Sequence, residues 1–219
     1  MSRHHVPARP GGWALVVPVK VLARAKSRLA GLDGDRRAAL ALAMAADAVA
    51  AASASPAVGQ VVVVTGDPRA RAELGGPGVV VVADEPDAGL NPALRLGAAY
   101  AARHWPGWGR AGMAADLPAL RPAELDRALA AAAGPAGAYV PDADGTGTTL
   151  YAAPPGGAFR PQFGPGSRAA HAALGAAEIG LPGLDGLRRD VDTLDDLRRA
   201  AEIGLGPRTR AVAAPLLAG

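Results

Sequence analysis

Three runs of apolar, mostly β-branched residues constrain this chain more than any other feature: "WALVVPV" at 13–19, "QVVVVT" at 60–65 and "GVVVVAD" at 78–84. Their hydrophobicity is continuous rather than alternating, the pattern of strands buried on both faces of a parallel sheet. Parallel strands need long crossovers, and residues 35–53 supply one: the segment is Ala-rich, with Leu40, Met44 and Ala48 at helical spacing and Gly34-Asp35 as a start signal. This predicts a β-α-β unit. Further helices are predicted over 91–104, over 122–133 with Pro in the first turn, and over 167–178. A last helix is predicted to start at Thr193, whose hydroxyl can cap "TLDDLRRAAEIG" while Asp195 and Asp196 sit at its positive end. "AGMAADLP" at 111–118 reads as a strand that stops at Asp116-Leu117-Pro118, and "GAYVPD" and "TTLYAA" read as two short strands around a Gly-Thr-Gly-Thr turn. The predicted class is α/β, a mostly parallel central sheet with helices on both faces, whose ligands lie beyond the carboxyl ends of the strands.

The length of 219 residues suits one domain, expected over 13–219 behind a disordered tail reaching about Gly12. There is no Cys, which removes disulfides, thiolate metal sites and Cys nucleophiles and fits a reducing cytoplasm. The longest uncharged stretch, 48–66, contains Pro56, Gly59 and Gln60, so no membrane span is expected, and the first apolar run is too short for a secretory signal. The net charge of +3 is spread over the helices, which argues against nucleic acid as a partner. One detail of the charge is local: only two of the 23 basic residues are lysines, Lys20 and Lys26.

Both lysines fall in "PVKVLARAKSRL", where a buried strand runs into a loop with Lys20, Arg24, Lys26 and Arg28. Such a cluster suits a triphosphate, with Lys as a mobile point charge and Arg as a fork, and it also suits a solvated basic loop. Asp116 lies just past a strand, with Pro118 fixing the chain direction, so it can hold a hard cation such as Mg²⁺ or cap the turn before the next helix. In "RRDVDTLDDL", Asp190 and Asp192 share one side of an extended segment and can either complete a metal site or take part in the cap at Thr193. "FGPGSRAAH" is a Gly-Pro-Gly turn into a helix, where Ser167 and Arg168 offer an anion site or an ordinary N-cap. The turn "DADGTGTTLY" offers the hydroxyls of Thr146, Thr148 and Thr149. His4 and His5 are in the tail, and His104 and His171 are expected at surface positions on helices, without a ligand-spaced partner. No P-loop, dinucleotide or Gly-x-Ser-x-Gly signature follows a strand.

Taken in order, "VPVKVLARAKSRL", "TGD", "GLNPAL", "ADLPAL", "GTGT", "RPQFGPGS" and "DVDTLDDL" resemble the guanylyltransferases that make the phosphoenolpyruvate or 2-phospho-L-lactate arm of the deazaflavin coenzyme F(420). The resemblance runs from about Trp13 to Val212 and implies a nucleotidyltransferase fold of the glycosyltransferase-A-like type. It further implies that Thr148, Gly164 and Ser167 contact the phosphorylated acceptor acid and that Asp116 and Asp190, with Asp192 beside them, hold Mg²⁺. The loop with Lys20, Arg24 and Lys26 would cover the nucleotide phosphates, and "GLNPAL", with Leu90 and Asn91, would approach the nucleoside. The implied reaction transfers GMP from GTP to phosphoenolpyruvate and releases pyrophosphate, with 2-phospho-L-lactate or 3-phosphoglycerate as alternative acceptors and hand-over to a downstream transferase. Lys20, Lys26 and Asp116 would carry the catalysis. A nucleotide-binding regulatory protein is the non-enzymatic alternative, and oligomeric state stays open. Two positions depart from the family pattern: Ala115 stands where Gly is usual before the Asp, and Gly166 where an acidic residue can occur.

Overall fold

A computed structural model of the chain describes residues 12–22, 29, 32–85, 87–134 and 136–218. The tail before Gly12 and the loop residues Arg24, Lys26 and Arg28 lie outside the described residues. The first half runs β1 (Trp13–Val19), α1 (Gly34–Ser53), β2 (Val58–Thr65), α2 (Pro68–Leu74), β3 (Val79–Ala83), α3 (Leu90–His104) and β4 (Gly109–Met113), the predicted elements with α2 added. The second half continues with α4 (Pro122–Ala131), β5 (Ala138–Pro141), β6 (Thr148–Ala153), α5 (Ser167–Ala173), β7 (Ala177–Glu178), α6 (Asp185–Arg188), α7 (Leu194–Ile203) and α8 (Pro207–Leu217).

The strands form one sheet in the order β3-β2-β1-β4-β6-β5-β7. β3, β2, β1 and β4 are mutually parallel, while β6 runs antiparallel to both β4 and β5. Every residue of β1 is buried, as its unbroken apolar run requires of a strand covered on both faces. Leu15 and Val17 face a core shared with α1, α2 and α4, whereas Val16, Val62 and Val64 face Ala93, Leu94 and Ala98 of α3. α3 can lie this close because of Gly97, where a Cβ would collide with Val16 and approach Val64 within 2.9 Å. After β3 the chain returns under α3 to pair β4 with the opposite edge of β1. The strand order therefore reverses beside β1, and the carboxyl ends of β1 and β4 open a crevice at that switch point.

Two expectations need correction. The helix predicted over 167–178 ends at Ala173, because Gly175 adopts φ +78° and Ala177–Glu178 then pair with β5 as β7. The helices α2 and α8 were not predicted, although each opens with Pro in its first turn. The predicted cap at Thr193 is present: Thr193 Oγ1 accepts the N–H of Asp196 at 3.2 Å, and the Asp196 carboxylate accepts the N–H of Thr193 at 2.9 Å. No helix among the described residues is long and apolar enough to cross a membrane.

The C-terminal helix is fastened by a charge from α1. Asp47, buried at 7 % exposure, accepts the N–H groups of Arg208 at 3.2 Å and Thr209 at 2.7 Å, the unsatisfied donors at the start of α8. Replacing Asp47 by Ala leaves those donors without an acceptor and is expected to cost about 1–3 kcal/mol. The check is the urea midpoint, read together with amide exchange, in which the protection of α8 should fall before that of β1 and β2.

Candidate active site

A cavity of about 660 Å³ occupies the crevice at the ends of β1 and β4. Its walls bring together residues that are far apart in sequence. Lys20 comes from the end of β1, Asp116 from beyond β4, Thr148 from the start of β6, Gly164 and Ser167 from the turn into α5, and Asp190 and Asp192 from the segment before α7. Leu90 also lines it.

The acidic side is assembled by backbone hydrogen bonds. The N–H of Val191 donates to the carbonyl of Asp116 at 3.1 Å, which sets Asp190 beside the exit of β4. Upstream, the buried Glu124 carboxylate accepts the N–H of Gly186 at 2.8 Å and that of Arg121 at 2.9 Å, so one side chain docks α6 and closes the start of α4. Ala143 N–H donates to the carbonyl of Arg188 at 2.8 Å, tying the β5-β6 turn to the same segment. Within that turn the Asp142 carboxylate accepts from Thr146 N at 2.9 Å and Gly147 N at 2.7 Å, so Asp142 shapes the Gly-Thr-Gly-Thr loop itself.

The electrostatic result is a crowded set of carboxylates. Asp190 is raised from 3.8 to about 7, first by burial and then by repulsion from Asp116, with smaller contributions from Asp142 and Asp192. An all-oxygen, net negative donor set of this kind matches a hard divalent cation. Among the described residues no group of three or more His, Asp or Glu is placed to enclose a metal ion. A cation here would therefore be completed by ligand oxygens, the arrangement usual for Mg²⁺ with phosphates. The cap of α4 itself is made by Arg121 and Glu124.

The opposite side presents hydroxyls and backbone. Ser167 Oγ is buried at 1 % exposure and has no hydrogen-bond partner among the described residues, and it borders the cavity. A buried hydroxyl without a partner, in a residue that borders a cavity, is a group that a ligand oxygen can satisfy. Gly164, at φ +130°, takes a conformation disfavoured for any side chain, and the N–H of Ser167 returns to its carbonyl at 3.1 Å. Arg168 points elsewhere: its guanidinium forks onto Glu178 at 2.8 and 2.9 Å and donates to the carbonyl of Gly145 at 3.0 Å. Of the two residues expected to form an anion site, Ser167 borders the cavity and Arg168 is engaged by the scaffold.

Asn91 acts on the same segment. Its Nδ2 donates to the carbonyl of Phe163 at 2.9 Å and its Oδ1 accepts the N–H of Phe163 at 2.8 Å, so the amide is engaged with backbone next to Gly164. "TGD" has a similar supporting role. The Asp67 carboxylate accepts from Arg69 N and Ala70 N at the start of α2 and, at 2.9 Å, from Leu22 N, which anchors the chain just after Lys20.

His171 was expected at the surface and is not there. It is fully buried, stacked on Tyr151 with ring centroids 4.6 Å apart and on Tyr139 at 5.6 Å, with the Phe163 ring edge-on at 5.6 Å. Its Nδ1 lies 3.0 Å from Thr148 Oγ1, and its Nε2 accepts the N–H of Gln162 at 3.0 Å. The three aromatic partners lie at 139, 151 and 163, so no local spacing around position 171 could announce this cage. His104, by contrast, is exposed, stacked on Tyr100 at 3.8 Å.

The comparisons with known proteins show the family and the fold. A phosphoenolpyruvate guanylyltransferase from Thermomonospora curvata is 63% identical over 202 residues, covering 92% of this chain and 89% of that protein. One from Streptomyces coelicolor is 57% identical over 206 residues, covering 94% and 97%. The chain belongs to the phosphoenolpyruvate guanylyltransferase family. Residues 40–176 of this family member also match the MobA-like NTP transferase domain. The fold is that of solved nucleotidyltransferase-like proteins: a nucleotide-diphospho-sugar transferase structure from Desulfovibrio desulfuricans G20 superposes with a TM-score of 0.69, at 19% identity and covering 94% of each chain.

The charge crowding gives this family member a signed pH dependence. Because Asp190 holds its proton more tightly in the folded chain, the native state binds the extra proton between the ordinary 3.8 and about 7. Its stabilising contribution is fully present below that window and is lost as pH rises through 7. Without metal, the urea midpoint of the wild type should fall between pH 5 and 8 relative to Asp190→Asn, and the variant should be the more stable of the two at pH 8. Adding Mg²⁺ at pH 8 should raise the midpoint of the wild type more than that of the variant.

Proposed function

We propose that this protein transfers GMP from GTP to phosphoenolpyruvate, releasing pyrophosphate and forming enolpyruvyl-diphospho-5'-guanosine for the deazaflavin coenzyme F(420). The observation that supports the reading is the meeting, in one cavity at the β1/β4 switch point, of an acidic wall with Asp116, Asp190 and Asp192 and a hydroxyl wall with Thr148 and the unpartnered Ser167. That is the layout needed to align two phosphate-bearing substrates, one over each wall. The family names of the relatives supply the substrate pair.

The bond changes are few. An oxygen of the acceptor's phosphate attacks the α-phosphorus of GTP, the new P–O bond forms, the bond to the β-phosphate breaks, and pyrophosphate leaves with that electron pair. The acceptor phosphate is already ionised at neutral pH, so alignment and charge neutralisation do most of the work. Thr148, Ser167 and the backbone at Gly164 hold the acceptor phosphate. Lys20 at the end of β1 steadies the nucleotide phosphates, a role the resemblance also gives to Arg24 and Lys26, which lie outside the described residues, while Leu90 lines the cavity for the nucleoside. Asp116 and Asp190, with Asp192 at the edge, are the residues that would hold Mg²⁺. When bound, Mg²⁺ would offset the phosphate charges that would otherwise repel each other. The chain without cysteine fits a cytoplasmic enzyme whose product passes to the next transferase.

Purified protein should release pyrophosphate only with GTP plus phosphoenolpyruvate when each nucleoside triphosphate is tested with phosphoenolpyruvate, 2-phospho-L-lactate and 3-phosphoglycerate. No release with any pair would overturn the enzymatic reading. Asp116→Asn should reduce kcat/KM about 1,000-fold, equivalent to about 4 kcal/mol of transition-state stabilisation, with an unchanged circular dichroism spectrum.

A further inference from the structure

His171 touches a residue of the acceptor wall yet faces away from the cavity, inside a cage of Tyr139, Tyr151 and Phe163. Two hydrogen bonds determine where its proton sits. A backbone N–H can only donate, so the Gln162 N–H at 3.0 Å requires a lone pair on Nε2. Burial holds the imidazole neutral, lowering it from 6.5 to about 4, so the single ring proton is on Nδ1. Nδ1 then donates toward Thr148 Oγ1 at 3.0 Å, with the carbonyl of Ser167 as a second acceptor within its reach. A protonated Nδ1 cannot accept the Thr148 hydroxyl hydrogen. That hydrogen must point elsewhere, and Thr148 borders the cavity.

We infer that His171 is a positioning residue of the acceptor site, which polarises Thr148 through Nδ1–H and presents its hydroxyl as a donor to an anionic phosphate oxygen. The same ring holds the backbone of Gln162, two residues before Gly164, so one buried imidazole sets the polarity of one wall and the position of the next. The acceptor class follows: a ligand oxygen at Thr148 must be an acceptor, which favours an ionised phosphate over a hydroxyl or a protonated ester. This inference rests on the acceptor site proposed above.

The kinetic test compares His171→Phe, which keeps an aromatic ring in the cage, with His171→Asn, whose Nδ2 can stand in for Nδ1. His171→Phe should raise the acceptor KM about 10- to 100-fold, the size of a lost charge-assisted hydrogen bond, and leave the KM for GTP unchanged. His171→Asn should restore most of that loss. In a Thr148→Val background, His171→Phe should have little further effect, because the hydroxyl it directs is gone. Equal rises in both KM values, no rise in either, or full multiplicative effects in the double variant would overturn the inference.

A second measurement needs neither variant nor turnover. In ¹⁵N NMR of the intact chain at pH 7, the His171 imidazole should be neutral with hydrogen on Nδ1, and inorganic phosphate should shift the Nδ1 resonance. Hydrogen on Nε2, or no response to phosphate, would overturn the inference. Because this arm contains no nucleotide, a failure of guanylyl transfer with a positive NMR result would remove the reaction and keep the site.

Discussion

The hydrogen bond from Val191 N–H to the carbonyl of Asp116 is the constraint on which the site depends. β1 and β4 are ordered by the parallel sheet, and their carboxyl ends would form a crevice in any chain with this strand order. What makes the crevice chemical is that a segment more than seventy residues downstream of Asp116 is fastened there by its backbone. Glu124 supports the same placement by docking α6, and the Ala143–Arg188 bond brings the Gly-Thr-Gly-Thr turn to the same edge. Each fastening engages a backbone N–H, so it fixes the direction of the chain past the cavity that Asp116, Asp190 and Asp192 line.

That arrangement places like charges together, and the fold bears the repulsion. Asp190 is raised to about 7, first by burial and then by the Asp116 charge, both of which disfavour its ionisation. A chain selected for stability alone would separate these carboxylates or neutralise them. Arg189 approaches the edge of the cluster, 3.8 Å from Asp144 and 3.9 Å from Asp196, yet Asp190 remains raised. The unpartnered Ser167 hydroxyl on the facing wall is the neutral counterpart of the same economy.

Much of this was legible in the sequence, for reasons that differ by residue. β1, β2 and β3 could be read because a strand buried on both faces has few alternatives to a continuous run such as "QVVVV". The cap at Thr193 could be read because its partner, Asp196, lies three residues away. Asp116, Thr148 and Asp190 could be picked out because they follow strands or punctuate turns, but only the seven motifs in order connected them. The end of α5 was misread because Gly175 followed by Ala-Ala-Glu fits a continuing helix as well as a stop followed by an edge strand. Arg168 read as an anion ligand because its carboxylate partner, Glu178, belongs to that same unforeseen strand. Asn91 and Asp67 stood inside motifs, whereas their backbone partners at Phe163 and Leu22 are visible only in three dimensions.

His171 shows why the remaining part needed the structure. A histidine on a short helix, with no His, Asp or Glu at ligand spacing, carries no local sign of being buried. Its burial also settles what it does not do. With Nε2 occupied by the Gln162 N–H and Nδ1 carrying the proton, the ring has no lone pair available to take a proton from a substrate. The histidine nearest the acceptor wall is thereby excluded as a general base, although a catalogue of titratable residues would place it first for that role. A phosphate nucleophile does not require one. The geometry of the ring and the chemistry of the proposed substrate thus agree on the same point: proton transfer is absent from the step, and the imidazole's contribution is the direction in which one hydroxyl hydrogen points.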